Sequence, residues 1–191
     1  MIRKIATKHD EEKKRKRNQI IVGLVLVFVM LFSVIGYSFR SNSNSNTAQI
    51  LKYNNYEFTN VGGYWTLDIG GTVFSFASKP SNAYKINSSL NSITNYYGKE
   101  LYLYSENAGA ESEVYQNMHL VASQVLPACP ADEEACDKNL PIKNCSDNFI
   151  IIKEKEEIGV FQQDGCVFIE GNAENMIKIT DGFLLKILGV Q

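Results

Sequence analysis

The chain has 191 residues, 45% of them hydrophobic and 21% charged, with a formal net charge of −2. That composition suits a folded protein and not a disordered polyelectrolyte. The charge is uneven: residues 1–19 carry +5 and residues 20–191 carry −7. A mildly acidic body lacks the basic face that phosphate binding needs, so no nucleic-acid partner is expected.

Residues 1–19 hold Arg3, Lys4, Lys8, Lys13, Lys14, Arg15, Lys16 and Arg17 and have few apolar side chains, which reads as a basic cytoplasmic tail. Residues 20–39, IIVGLVLVFVMLFSVIGYSF, are an uncharged run of twenty. At about 1.5 Å per residue, a helix of that length spans a hydrocarbon core of roughly 30 Å. The run therefore predicts a transmembrane helix, in contact with the lipid bilayer from Ile20 to Phe39. Basic residues crowd its N-terminal side and only Arg40 follows closely, so the positive-inside rule puts the N-terminus in the cytoplasm and the rest outside. A cleaved signal peptide is the competing reading, with Ser41, Ser43, Ser45 and Ala48 as small residues for cleavage. Its apolar core is usually only about 7–15 residues, which favours an uncleaved, single-pass signal anchor in the cell membrane. No small-xxx-small spacing marks the span for dimerisation, and no lipid-attachment cysteine follows it. Residues 40–49, RSNSNSNTAQ, are a Ser/Asn tract that serves as a flexible linker.

Residues 50–191 have the usual size of one domain, predicted here as a small extracytoplasmic α+β domain. It opens on YEFTNV, Gly62-Gly63, YWTLDI, Gly70-Gly71 and TVFSFAS, in which two Gly-Gly pairs separate alternating segments. Two-residue turns of that kind require positive φ and imply hairpins. They place Val61 opposite Tyr64 and Ile69 opposite Thr72. Counting outward puts Tyr56, Phe58, Trp65, Leu67, Ile69, Phe74 and Phe76 on one face, with Glu57, Thr59, Thr66, Asp68 and Ser75 on the other. A slip of one residue would destroy that segregation, so a three-stranded antiparallel meander with one buried face is expected.

Beyond Lys79-Pro80 a short helix is expected over residues 83–90, with Ser81 as a possible cap. GKELYLYS, residues 98–105, reads as a turn and a strand. In ESEVYQNMHLVASQVL, residues 111–126, Val114, Met118, Val121 and Val125 recur at helical spacing up to Pro127. After a proline-rich, cysteine-bearing loop, FIIIK, IGVFQQ, Asp164-Gly165 and CVFIEG repeat the strand signature. The Asp-Gly turn pairs Phe161 with Phe168 and Val160 with Ile169, making both faces apolar, as in a more deeply buried sheet. A final helix puts Met176, Ile179, Phe183 and Ile187 on one stripe, with Gly189 as its C-cap and a break possible near Asp181-Gly182.

The domain's single histidine, His119, has no companion histidine, HExxH or GxSxG motif, so no metal ligand, cofactor or catalytic residue is assigned. Glu57 and Asp68 fall opposite each other on the outer face of the meander, where like charges repel. Such a pair can bind a cation or raise one carboxyl pKa, unless Lys52 or a diverging strand end relieves it. Glu57, Asp68 and His119 are the candidate site. Tyr96-Tyr97 and Tyr102/Tyr104 could stack sugars or peptides, but tyrosine is also an ordinary strand former. Asn87-Ser88-Ser89 and Asn144-Cys145-Ser146 match the glycosylation sequon.

The run PIKNC at residues 141–145, DGCVFIEG at residues 164–171 and the Thr-Asp…Leu-Gly ending resemble a group of uncharacterised single-span membrane proteins of small-genome archaea. The resemblance implies a membrane-tethered outer domain and no activity. The function expected from the sequence is a binding or envelope-assembly module with a protein or surface-polymer partner. The alternative is a membrane-anchored hydrolase working with Glu57, Asp68 or the Glu106/Glu111/Glu113 group.

Cys129, Cys136, Cys145 and Cys166 are separated by 7, 9 and 21 residues and contain no C-x-x-C knuckle for zinc. An even count in an external domain suits disulfides. If FIIIK, IGVFQQ and CVFIEG form a meander, strands one and three run the same way, so Cys145 and Cys166 lie at one end of the sheet. The expected pairs are therefore Cys145–Cys166, reaching across the intervening strand, and Cys129–Cys136.

Overall fold

The computed structural model describes residues 21–22, 49–133, 136–137 and 139–191. The chain divides into two units, Met1–Thr47 and Ala48–Gln191. Of the first, only Ile21 and Val22 are described, both helical. The basic tail, the rest of the predicted span and the linker up to residue 48 lie outside the described residues. No helix among the described residues is long and apolar enough to cross a membrane.

Turn chemistry builds the first sheet of the second unit. Both glycines of each Gly-Gly pair have positive φ, from 61° to 95°, a region that side chains disfavour. They join β2 (Tyr56–Val61), β3 (Tyr64–Ile69) and β4 (Thr72–Phe76) in the expected register, with Val61 opposite Tyr64 and Ile69 opposite Thr72. The meander has a further strand, β1 (Ile50–Tyr53), joined to β2 through Asn54 and Asn55 at φ of 45° and 66°. Asparagine tolerates the left-handed region next best after glycine, so this is the same turn in a less conspicuous spelling. Phe58, Leu67, Phe74 and Phe76 point into the core, each at most 2% exposed.

The second sheet has the order β10-β11-β9-β5-β6, built from β5 (Glu100–Ser105), β6 (Gln124–Pro127), β9 (Phe149–Glu154), β10 (Gly159–Gln163) and β11 (Cys166–Gly171). It corrects two expectations. Helix α1 (Ala108–Met118) is shorter than the sequence pattern implies, and residues 124–127 leave it to become β6, parallel to β5. Val121 is buried and Val125 packs against the core, so the helical spacing tracked burial and not helix. The β9–β11 region is also not a meander: β11 inserts between β9 and β10, pairing parallel to β9 and antiparallel to β10. Residues 149–152 of β9 are buried on both faces, as a central strand in a largely parallel sheet requires.

No helix forms over residues 83–90. Short 3₁₀ turns, Pro80–Asn82 and Ile93–Tyr96, flank an irregular crossing rich in Asn and Ser, which compete with the helical backbone. Its donors find partners elsewhere: Tyr84 N–H bonds to Lys178 O at 2.9 Å and Ile86 N–H to Gln191 Oε1 at 3.0 Å. Helix α2 (Met176–Ile187) runs through Asp181 and Gly182 without the anticipated break. It ends as expected at Gly189, whose φ is +76°, with Val190 N–H reaching back to Leu185 O at 2.9 Å. Both helices and one face of each sheet share the main core.

The opposite face of the second sheet carries Tyr102, Phe149, Ile151 and Cys166, which cluster with Ala128 from the cysteine-bearing loop. Within that loop β7 (Cys129–Pro130) pairs with β8 (Ile142–Lys143). Two polar contacts hold it down: Glu133 to Lys153 at 2.9 Å, and the Lys143 ammonium 3.9 Å over the Tyr102 ring.

Both disulfides are present, Cys129–Cys136 and Cys145–Cys166, with Cα separations of 5.8 and 4.7 Å. The physical route differs from the one anticipated for the second pair. Because β9 and β11 are neighbours, Cys166 lies directly opposite Phe149 and no intervening strand is crossed. Gly165 N–H, bonded to Cys145 O at 2.8 Å, brings the two chains together beside the bridge. Replacing Cys145 and Cys166 by serine should cost about 3 kcal/mol of unfolding free energy, more than the same change at Cys129 and Cys136, because the longer loop constrains the unfolded chain more. Urea denaturation of the two variants checks the order.

Candidate functional site

The candidate residues chosen from sequence do not converge. Glu57 is exposed on β2, opposite Lys52 of β1. Asp68 is exposed on β3, and its Oδ1 accepts from Gly71 N–H at 2.8 Å, closing the Gly-Gly turn. The β2–β3 pairing begins only at Thr59 and Thr66, so the two carboxylates sit beyond the paired part of the strands. His119 caps the C-terminus of α1, where its Nδ1 lies 2.8 Å from Tyr115 O and its ring stacks on Tyr115 at 5.7 Å. These bonds are all local. Of the other acids, Glu111 is exposed, whereas Glu106 Oε2 accepts from Glu154 N–H at 2.7 Å.

Glu113 has a different environment, shared with a residue that sequence reasoning treated only as a helix break. Glu113 is 4% exposed on α1, and Asp181 is fully buried on α2. Both reach the two residues that follow β4 at the free edge of the sheet. Ala77 N–H donates to Glu113 Oε1 at 2.9 Å and Ser78 N–H to Asp181 Oδ2 at 2.7 Å. One turn further along α1, buried Asn117 accepts from Ser75 N–H at 2.9 Å and donates to Ser75 O at 2.8 Å. Three helix side chains thus line the edge of β4 and the two residues after it as a further strand would, partnering the part-buried backbone groups of Ser75, Ala77 and Ser78.

Two carboxyls in such a place do not both ionise. Burial is the main cause that pushes Glu113 up from 4.5 to about 8, reinforced by its hydrogen bond with Asp181 and by that residue's charge. Burial raises Asp181 as well. Asp181 Oδ1 has no nitrogen or hydroxyl donor among the described residues, and a protonated Glu113 supplies one. Both shifts run toward retaining a proton between α1 and α2. A shared proton can serve acid–base chemistry, but only where a substrate can reach it. With Asp181 fully buried, the proton here joins helices and sheet.

The open features lie elsewhere. A hollow of about 670 Å³ is lined by Glu154, Lys155, Glu156, Glu157, Glu170, Asn172 and Ala173, at the C-terminal ends of the parallel strands β9 and β11. Its one cation, Lys155, is held by Glu170 at 2.6 Å. A smaller hollow of about 270 Å³ lies beside the Cys129–Cys136 bridge, among Pro130, Glu133, Asp137 and Leu140. On the β10–β11 hairpin, Phe161 and Phe168 stack at 4.9 Å, and Phe161 remains 41% exposed. Among the described residues, no group of three or more His, Cys, Asp or Glu side chains is placed to hold a metal ion. No family model, curated protein or solved structure matches the chain.

Proposed function

We propose that this chain is a membrane-anchored binding module whose disulfide-bonded α+β domain lies outside the cell. The carrying observation is how its polar groups are distributed. The carboxyls with an unusual proton affinity, Glu113 and Asp181, are buried in backbone contacts, whereas Glu57, Asp68 and His119 are exposed and engaged only by near neighbours in their own hairpins and helix. Acid–base catalysis needs groups converging on a concave, accessible site. What faces solvent is a stacked phenylalanine pair and an acidic hollow, features suited to contact with a partner protein or surface polymer. Two disulfides support an oxidising compartment.

Protease added to intact cells should remove the domain and leave the basic N-terminal tail; a protected C-terminus would defeat the topology. Purified residues 49–191 should show no hydrolysis of peptides, esters or glycosides. Hydrolysis that disappears on Asp68→Asn would establish the hydrolase reading instead.

A further inference from the structure

We propose that Asn87 and Asn144 carry N-linked glycans, an assignment that rests on the external placement of the domain proposed above. Both begin an Asn-x-Ser sequon, and both lie outside helices and strands. In each sequon the middle residue is tied to the fold while its neighbours face solvent. Asn87 and Ser89 are exposed around half-buried Ser88, whose hydroxyl donates to Val160 O on the edge strand β10. Asn144 and Ser146 are exposed around half-buried Cys145, which is bridged to Cys166. Two unrelated anchors, a hydroxyl and a disulfide, thus present the acceptor amide and the recognition hydroxyl outward together. A bulky glycan requires such a surface position.

No acceptor among the described residues takes the amide nitrogen of Asn87 or Asn144. Asn54, Asn107, Asn117 and Asn148 each spend Nδ2 on a hydrogen bond. Asn87 makes no side-chain hydrogen bond to the described residues, and Asn144 uses only Oδ1, which accepts from Ser146 N–H at 2.9 Å and from Ser146 Oγ–H at 2.8 Å. Those two donors polarise the amide of the exposed Asn144. In the transfer, Nδ2 forms a bond to the anomeric carbon of an oligosaccharide carried on a lipid phosphate. The bond from that carbon to the phosphate oxygen breaks, the lipid phosphate leaves with its electron pair, and one Nδ2 proton is released.

The test is non-reducing intact-mass and peptide mass spectrometry on the full chain, isolated from membranes of the cells that make it. The wild type should carry two glycan increments. Asn87→Gln and Asn144→Gln should each lose one, and Ser146→Thr, which keeps the sequon, should lose none. An unmodified asparagine in the wild type overturns the assignment of that residue. Bare polypeptide with both disulfides closed overturns the glycans and leaves the external placement standing. Bare polypeptide with free thiols overturns both.

Discussion

Asp181→Ala should lower the unfolding free energy by about 3 kcal/mol, because it leaves the Ser78 N–H and the Glu113 carboxyl without their buried partner. Glu113→Gln should behave differently, since an amide oxygen still accepts from Ala77 N–H and an amide N–H still donates to Asp181. Its effect is on pH dependence. Glu113 has an ordinary value of 4.5 unfolded and about 8 folded, so between those values the folded state holds a proton that the unfolded chain releases. The stability contributed by that proton is complete below about pH 4.5 and is lost as pH rises toward 8, by an amount on the order of a few kcal/mol. The shift of Asp181 has the same sign. Subtracting the Glu113→Gln curve removes the contribution of the ordinary surface carboxylates. The difference in unfolding free energy, wild type minus variant, should fall steadily from pH 5 to pH 8 in urea titrations. A difference that stays constant would mean that the pair holds no proton.

Gly182→Ala should destabilise by a net amount of about 3 kcal/mol, against the direction that helix propensity predicts. Alanine is better than glycine in a helix interior by about 1 kcal/mol. At this position, however, an added Cβ would lie 2.1 Å from the Tyr84 carbonyl oxygen and 3.0 Å from its carbon. That neighbour is backbone and cannot turn aside as a flexible side chain would. Moving it breaks the Tyr84 N–H bond to Lys178 O and disturbs the Gln191 Nε2 bond to Tyr84 O, at 3.2 Å. Overpacking costs about 1–3 kcal/mol, and each lost hydrogen bond adds roughly 1. A neutral or raised midpoint in chemical denaturation would show that the crossing gives way and propensity decides.

These two residues mark the limit of what could be read along the chain. Read along the chain, Gly182 costs the helix about 1 kcal/mol against alanine and allows a break near Asp181-Gly182. In three dimensions each answers a demand from a distant segment: the carboxylate meets the edge of β4, and the missing side chain admits the backbone of Tyr84. Glu113 is similar. In the sequence it is one of several acids at the start of a helix, and only a partner 68 positions away makes its proton affinity unusual. Glu57 and Asp68 show the converse: the register at the Gly-Gly turn was right, but β2–β3 pairing ends before it reaches them, and each finds a local neighbour, Lys52 across from Glu57 and the Gly71 N–H at Asp68.

The sequence by itself determined whatever depends on a few consecutive residues. Gly62-Gly63 and Gly70-Gly71 dictate turns with positive φ, those turns dictate register, and register dictates which of Phe58, Leu67, Phe74 and Phe76 face inward. Gly189 ends the last helix for the same local reason. The Cys145–Cys166 pair is expected from a meander that does not form, and it holds because the parallel neighbours β9 and β11 also start at one end of the sheet. Tertiary structure alone decided that β11 sits beside β9, that residues 124–127 pair with β5, and that helix side chains complete the edge of β4. Strand pairing and edge satisfaction are contests among backbone donors and acceptors far apart in the chain. A pattern of apolar residues records which side chains are buried, but it does not say which partner's backbone they are buried against.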